Sequence, residues 1–140
     1  MALSSVADLS IQKIKYIEDR GALTILEAGK GREVPYPVNR VFCITKVPAG
    51  GVRGKHAHKE CSQFLVCLNG SVELICDDGS EKRNISLKSP SEGLLVTPGI
   101  WLTLNFTSAD TVVMVLCDQY YSEADYLRNY EQFLEFRGKK

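Results

Sequence analysis

Gln63-Phe64-Leu65-Val66-Cys67-Leu68-Asn69-Gly70-Ser71-Val72-Glu73-Leu74-Ile75-Cys76-Asp77-Asp78-Gly79-Ser80 decides the fold class. Two apolar runs of strand length, rich in Val, Leu and Ile, flank Asn69-Gly70. That dipeptide supplies the two positive-φ residues of a type I′ turn, so the segment reads as a β-hairpin. Asp77-Asp78-Gly79-Ser80 is a second turn signal, and the run at 82–87 extends the hairpin into a meander. Pro90 and Gly93 mark the next corner.

Outward from this segment the pattern repeats. Apolar runs at 14–16, 23–27 and 40–47 precede it, and runs at 93–96, 102–106 and 111–117 follow, separated by Gly, Pro, Asn and Asp. Short strands with a turn about every 8–12 residues imply an all-β sandwich or barrel. Only the end of the chain changes period. Tyr126, Tyr130, Phe133 and Leu134 fall at helical spacing, with Ser122 placed to cap and acidic residues in the first turn. A short amphipathic C-terminal helix is therefore expected to close one side of the barrel.

The chain has 140 residues, 44% of them hydrophobic, which is enough for one core without disulfides or a structural metal; residues 1–140 are read as a single domain. Seventeen Lys and Arg balance seventeen Asp and Glu. No global field draws such a protein to nucleic acid or to an anionic membrane, and an anionic ligand must be held by local arginines. The five cysteines (Cys43, Cys61, Cys67, Cys76 and Cys117) include no CxxC pair and read as free thiols. The start of the chain lacks signal-peptide character, and no run approaches the ~18 apolar residues of a membrane span, so the expectation is a cytoplasmic protein.

Both histidines of the chain sit in Arg53-Gly54-Lys55-His56-Ala57-His58-Lys59. Two residues apart on extended backbone, they point to one face, which suits either a metal site or an acid/base site. The spacing from Gly50 through His56-x-His58 and Gln63 to Gly70 reproduces the first cupin motif with one change. Gln63 stands where metal-binding cupins carry glutamate. In the later Gly93-Leu94-Leu95-Val96-Thr97-Pro98-Gly99-Ile100-Trp101-Leu102 segment, Leu102 stands where they carry a third histidine. Two of four ligands are missing, and an amide is a poor substitute. Glu60 has the parity to complete a two-histidine, one-carboxylate set, but its position reads as a solvated turn. No metal is expected.

Further marks are Asp19-Arg20-Gly21-Ala22-Leu23, Asn39-Arg40-Val41, Leu65-Val66-Cys67-Leu68-Asn69-Gly70-Ser71, Tyr120-Tyr121 and Asp125-Tyr126-Leu127-Arg128-Asn129-Tyr130. Together with the histidine segment they make the chain resemble, nearly end to end, the bacterial dTDP-sugar 3,4-ketoisomerases, the WxcM-like or FdtA-like group. The resemblance implies a cupin-type β-barrel (jelly roll) and a homodimer that often exchanges N-terminal strands. It also implies a dTDP-4-keto-6-deoxyglucose type of substrate, no metal and no other cofactor, and a place in making deoxyamino sugars for surface glycans such as lipopolysaccharide.

Moving a carbonyl from C4 to C3 needs a base for the C3 proton and a proton for C4, with an enediol between. By resemblance His56 is the base and His58 its partner in the relay or in orienting the sugar. Gln63 is free to hydrogen-bond the second imidazole or a sugar oxygen. Arg20, Arg40 and Arg53 are candidates for the pyrophosphate, and Trp101 for stacking on the base or walling the sugar pocket. The chain departs from the family at Phe42 and Cys43, where tyrosines are common, and at Leu102, where a polar residue is common. These departures keep open a second reading, a catalytically weak nucleotide-sugar-binding cupin.

Overall fold

The computed structural model describes residues 3–139. Alternation of side chains builds the strands: in β10 (Trp101–Phe106), Leu102, Leu104 and Phe106 are buried while Trp101, Thr103 and Asn105 are half-buried. Ahead of it run β1 (Ile11–Lys13), β2 (Lys15–Glu18), β3 (Ala22–Ile25), β4 (Arg40–Ile44), β5 (Val52–His58), β6 (Gln63–Asn69), β7 (Val72–Asp77), β8 (Lys82–Leu87) and β9 (Glu92–Val96). After it come β11 (Val112–Cys117), the two-residue β12 (Tyr126–Leu127) and α1 (Tyr130–Phe136).

The strands form two antiparallel five-stranded sheets, ordered β1-β9-β6-β11-β4 and β12-β5-β10-β7-β8, and a separate β2-β3 ribbon. The two large sheets enclose a core that includes Leu65, Leu74, Leu94, Phe106 and Val115, all nearly or fully buried. Each such side chain contributes about 1.5–3 kcal/mol of burial. The all-β jelly roll with a short C-terminal helix is thus present, as two facing sheets rather than one continuous closed barrel. No helix among the described residues is long and apolar enough to cross a membrane.

The Asn69-Gly70 hairpin is not formed. Strand β6 lies between β9 and β11, so both of its edges are taken, and β7 belongs to the other sheet. Only Gly70 has positive φ, at 75°, where a type I′ turn needs two such residues. The dipeptide is instead a corner between sheets: Asn69 Nδ2 donates to the Asp110 carbonyl at 2.8 Å, and a Cβ on Gly70 would sit 2.5 Å from Thr111 Oγ1. The second turn does join a hairpin, β7 to β8, with Asp77 opposite Lys82.

The C-terminal helix starts later than its periodicity suggests. Ser122 begins only a 3₁₀ turn at Glu123–Asp125, with no side-chain cap, and Tyr126 is extended and pairs with β5. The helix is capped by Asn129, whose side chain accepts from the Gln132 N–H at 3.0 Å. Phe133 packs from α1 onto Ala57 and Leu127 on the outer face of the second sheet.

Candidate active site

In a regular strand Arg53 and His56, three residues apart, would point to opposite faces. Here a bulge intervenes. Gly54 (φ 89°) and Lys55 (φ 61°) are both left-handed, and the register with β10 slips between Leu102, opposite His56, and Thr103, opposite Gly54. The slip resets parity, so Arg53 and His56 line the same pocket. Gly54 is required at this crossing, because a Cβ there would lie 2.7 Å from the Leu102 carbonyl oxygen.

The pocket holds about 410 Å³ between the sheets, a volume suited to a small ligand. One sheet supplies Phe42, Ile44, Gln63, Leu65 and Val115; the other supplies Gly54, His56, Leu102 and Leu104; Arg53, Tyr126 and Arg128 complete the wall. The positions that hold ligands in metal cupins, Gln63 and Leu102, face this space with their non-ligating side chains.

The structure brings the two histidines together on the inner face, as their spacing requires. Their rings stand 5.2 Å apart and perpendicular, and the Tyr126 ring lies 5.0 Å from His56 and 4.4 Å from His58. Only His56 reaches the pocket, since His58 is 4% exposed and is not part of its lining. Nδ1 of His58 donates to Asp125 Oδ2 at 2.8 Å, and Asp125 Oδ1 accepts from the Glu60 backbone N–H at 2.6 Å. A carboxylate only accepts, so it fixes the His58 proton on Nδ1 and leaves Nε2, which is buried without a partner, as the free lone pair. Burial, followed by the neighbouring His58, lowers His56 to about 4. Burial also lowers His58, outweighing the opposing pull of Asp125. Both rings are neutral near pH 7, the form in which imidazole accepts a proton.

Glu60 lies exposed on the turn after β5, and the carboxylate that meets His58 is Asp125, 67 residues further on. His58, Cys61 and Asp125 present ligand atoms within 4.8 Å of one another. As a cation cage the set is poor, because Nδ1 of His58 is already bound to Asp125 and the Arg40 guanidinium lies 3.9 Å from the Cys61 sulfur.

The other candidates scatter. Arg53 and Gln63 line the pocket, Gln63 being buried. Arg40 Nη2 lies 3.8 Å from the Cys117 sulfur as well as near Cys61, and its guanidinium stacks near Phe42 and Tyr121. Arg20 is at the tip of the β2-β3 ribbon, exposed and 3.6 Å from Asp19. Trp101 faces away from the pocket and packs against Tyr130 and Phe133 on α1. Asp125, Tyr126 and Arg128 enter the site without having been read as site residues. The helical spacing of Tyr126 with Tyr130, Phe133 and Leu134 masked a β-strand whose inner residue, Tyr126, meets the histidines.

A sequence model of the WxcM-like, C-terminal (FdtA) family matches residues 7–138. The chain belongs to this family. Among relatives of this WxcM-like protein, the TDP-4-oxo-6-deoxy-alpha-D-glucose-3,4-oxoisomerase of Aneurinibacillus thermoaerophilus is 42% identical over 125 residues, covering 89% of this chain and 88% of that protein. The crystal structure of QdtA, a sugar 3,4-ketoisomerase from Thermoanaerobacterium thermosaccharolyticum in complex with TDP, superposes with a TM-score of 0.89 at 37% identity, covering 96% of this chain and 97% of QdtA. The TDP-fucose-3,4-ketoisomerase WlaRA of Campylobacter jejuni aligns with a TM-score of 0.83 at 30% identity, over 93% of this chain and 96% of that one.

Proposed function

We propose that the protein is a 3,4-ketoisomerase of a dTDP-linked 4-keto-6-deoxyhexose. The observation that carries the reading is an imidazole, His56, facing a pocket flanked by two arginines, in a chain whose relatives are named as 3,4-isomerases of keto sugars. His56 removes the C3 proton, and the electron pair forms the C3=C4 double bond of an enediolate. Arg53 and Arg128 are suited to the pyrophosphate, and Gln63 to a sugar oxygen. His58, anchored by Asp125, backs the His56 ring and fixes its orientation. Phe42 and Leu102 offer no proton, so the relay runs through other groups. Trp101 supports the wall from behind, through α1.

We further read the enzyme as a homodimer in which the β2-β3 ribbon crosses to a second copy. In support, the ribbon pairs with neither large sheet, and Ile17, Leu23 and the β4-edge Val41 are apolar and exposed. In that arrangement Arg20 at the ribbon tip would reach the other copy's nucleotide. Light scattering after size exclusion tests the dimer, which a monomer would refute. Five free thiols suit a reducing cytoplasm.

The deciding assay follows the carbonyl of TDP-4-keto-6-deoxyglucose by NMR. Conversion to a 3-keto sugar is expected. Binding of TDP without conversion would favour a nucleotide-sugar-binding protein, the reading that Phe42 and Leu102 support.

A further inference from the structure

The arrangement of β12 against β5 bears on the second proton transfer, and the inference rests on the ketoisomerase reading. We propose that Tyr126 is the acid that protonates C4, so that this step belongs to a phenol in the pocket wall rather than to His58.

The two candidates differ in what they can touch. His58 is 4% exposed, lies outside the pocket lining and commits Nδ1 to Asp125. Tyr126 pairs with His58 across β5 and β12, so its side chain emerges beside that imidazole on the inner face, and it lines the pocket with His56. Among the other lining residues, Phe42, Leu65, Leu102, Leu104 and Val115 have no proton to give, a threonine hydroxyl such as Thr45 is too weak an acid, and Cys43 alternates with Phe42 and Ile44 along β4, on the exposed side of the strand.

Two cations flank the phenol. The Arg128 guanidinium sits 4.2 Å from the Tyr126 ring centre. Arg40 is the second: burial makes it less basic, but its neighbours Tyr126 and Cys117 more than offset that. Both cations thus lie beside the side chain that gives up the proton. Arg40 is itself wedged by the sulfurs of Cys61 and Cys117.

The step balances without a co-reactant. The enediolate moves its O3 proton to O4; the O3 electrons then form the C3 carbonyl while the C3=C4 pair takes the Tyr126 proton to make the new C4–H bond. The phenolate regains a proton from the His56 imidazolium, directly or through solvent, and the protein returns to its starting state.

Tyr126→Phe keeps the ring against both imidazoles and removes only the hydroxyl. In D₂O with TDP-4-keto-6-deoxyglucose, this variant should still wash deuterium into C3 within about threefold of the parent rate. Formation of the 3-keto sugar should fall by the ~10²–10⁴-fold typical of a lost acid. Product formation within about threefold of the parent overturns the proposal, and so does a parallel loss of exchange and turnover with TDP affinity intact. Site-specific replacement of Tyr126 by difluorotyrosine is the second arm, independent of whether the Phe variant folds. It should move the alkaline limb of the kcat profile to lower pH, and an unmoved limb overturns the proposal. A parent protein that leaves the substrate unchanged fails the ketoisomerase reading itself, a result separable from either variant's behaviour.

Discussion

Taking the protein from pH 8 to pH 4.5 should cost the fold about 2–3 kcal/mol through His56 alone. An unfolded histidine titrates near 6.5, whereas burial and the adjacent His58 hold His56 at about 4. At pH 8 neither state carries the proton. At pH 4.5 the unfolded chain is almost fully protonated at this site and the folded chain only about a quarter, and integrating between the two gives roughly 2–3 kcal/mol. Because the folded value is depressed, the stability is complete above pH 6.5 and drains as pH falls toward 4. Urea unfolding at both pH values, run on the parent and on His56→Gln, isolates the contribution. The variant should lose about 2–3 kcal/mol less than the parent, while His58, lowered in the same direction, acts in both proteins. An NMR titration of the two imidazoles gives the same answer directly. An equal acid loss in parent and variant, or a His56 resonance titrating above pH 6, would refute the claim that the base is neutral because it is buried.

His56→Asn should lower turnover by at least ~10²–10⁴-fold and leave TDP affinity unchanged by calorimetry, since the base and the nucleotide contacts are different groups. Arg53→Ala and Arg128→Ala should each weaken TDP binding by about tenfold, with the difference shrinking at high salt. Elemental analysis should find well under one transition metal per chain, and turnover should survive a chelator, because the pocket faces the ligand positions with Gln63 and Leu102. Gly93→Ala should destabilise the fold by about 1–3 kcal/mol in urea, as the new methyl would meet the Phe64 ring and Ile14.

Strand content and the paired histidines were legible because both depend on a period of two, which sequence displays directly. The run at 82–87 is a strand residue for residue, and His56 and His58 share a face as their spacing demands. Asn69-Gly70 misled because a dipeptide reports local turn preference and nothing about whether the edges of the preceding strand are free. The parity that joins the histidines also separates Trp101 from Leu102: once Leu102 faces the pocket, Trp101 must face α1. Asp125 and Tyr126 were out of reach by a different route. Their partners lie 67 and 68 residues back, and no local pattern carries a pairing across that distance.

The corner at Asn69-Gly70 also governs how the molecule can be made. From β4 onward the chain changes sheet at every step except β7 to β8, so the pocket strands β4, β5 and β6 wait for neighbours encoded much later. Loop closure on that scale is slow, and little native contact rewards a half-made chain. On the ribosome, β6 would emerge and remain exposed until β9 and then β11 had been synthesised. Its Phe64-Leu65-Val66-Cys67-Leu68 run would spend that interval as an uncovered apolar segment, the stretch a nascent-chain chaperone would have most reason to hold.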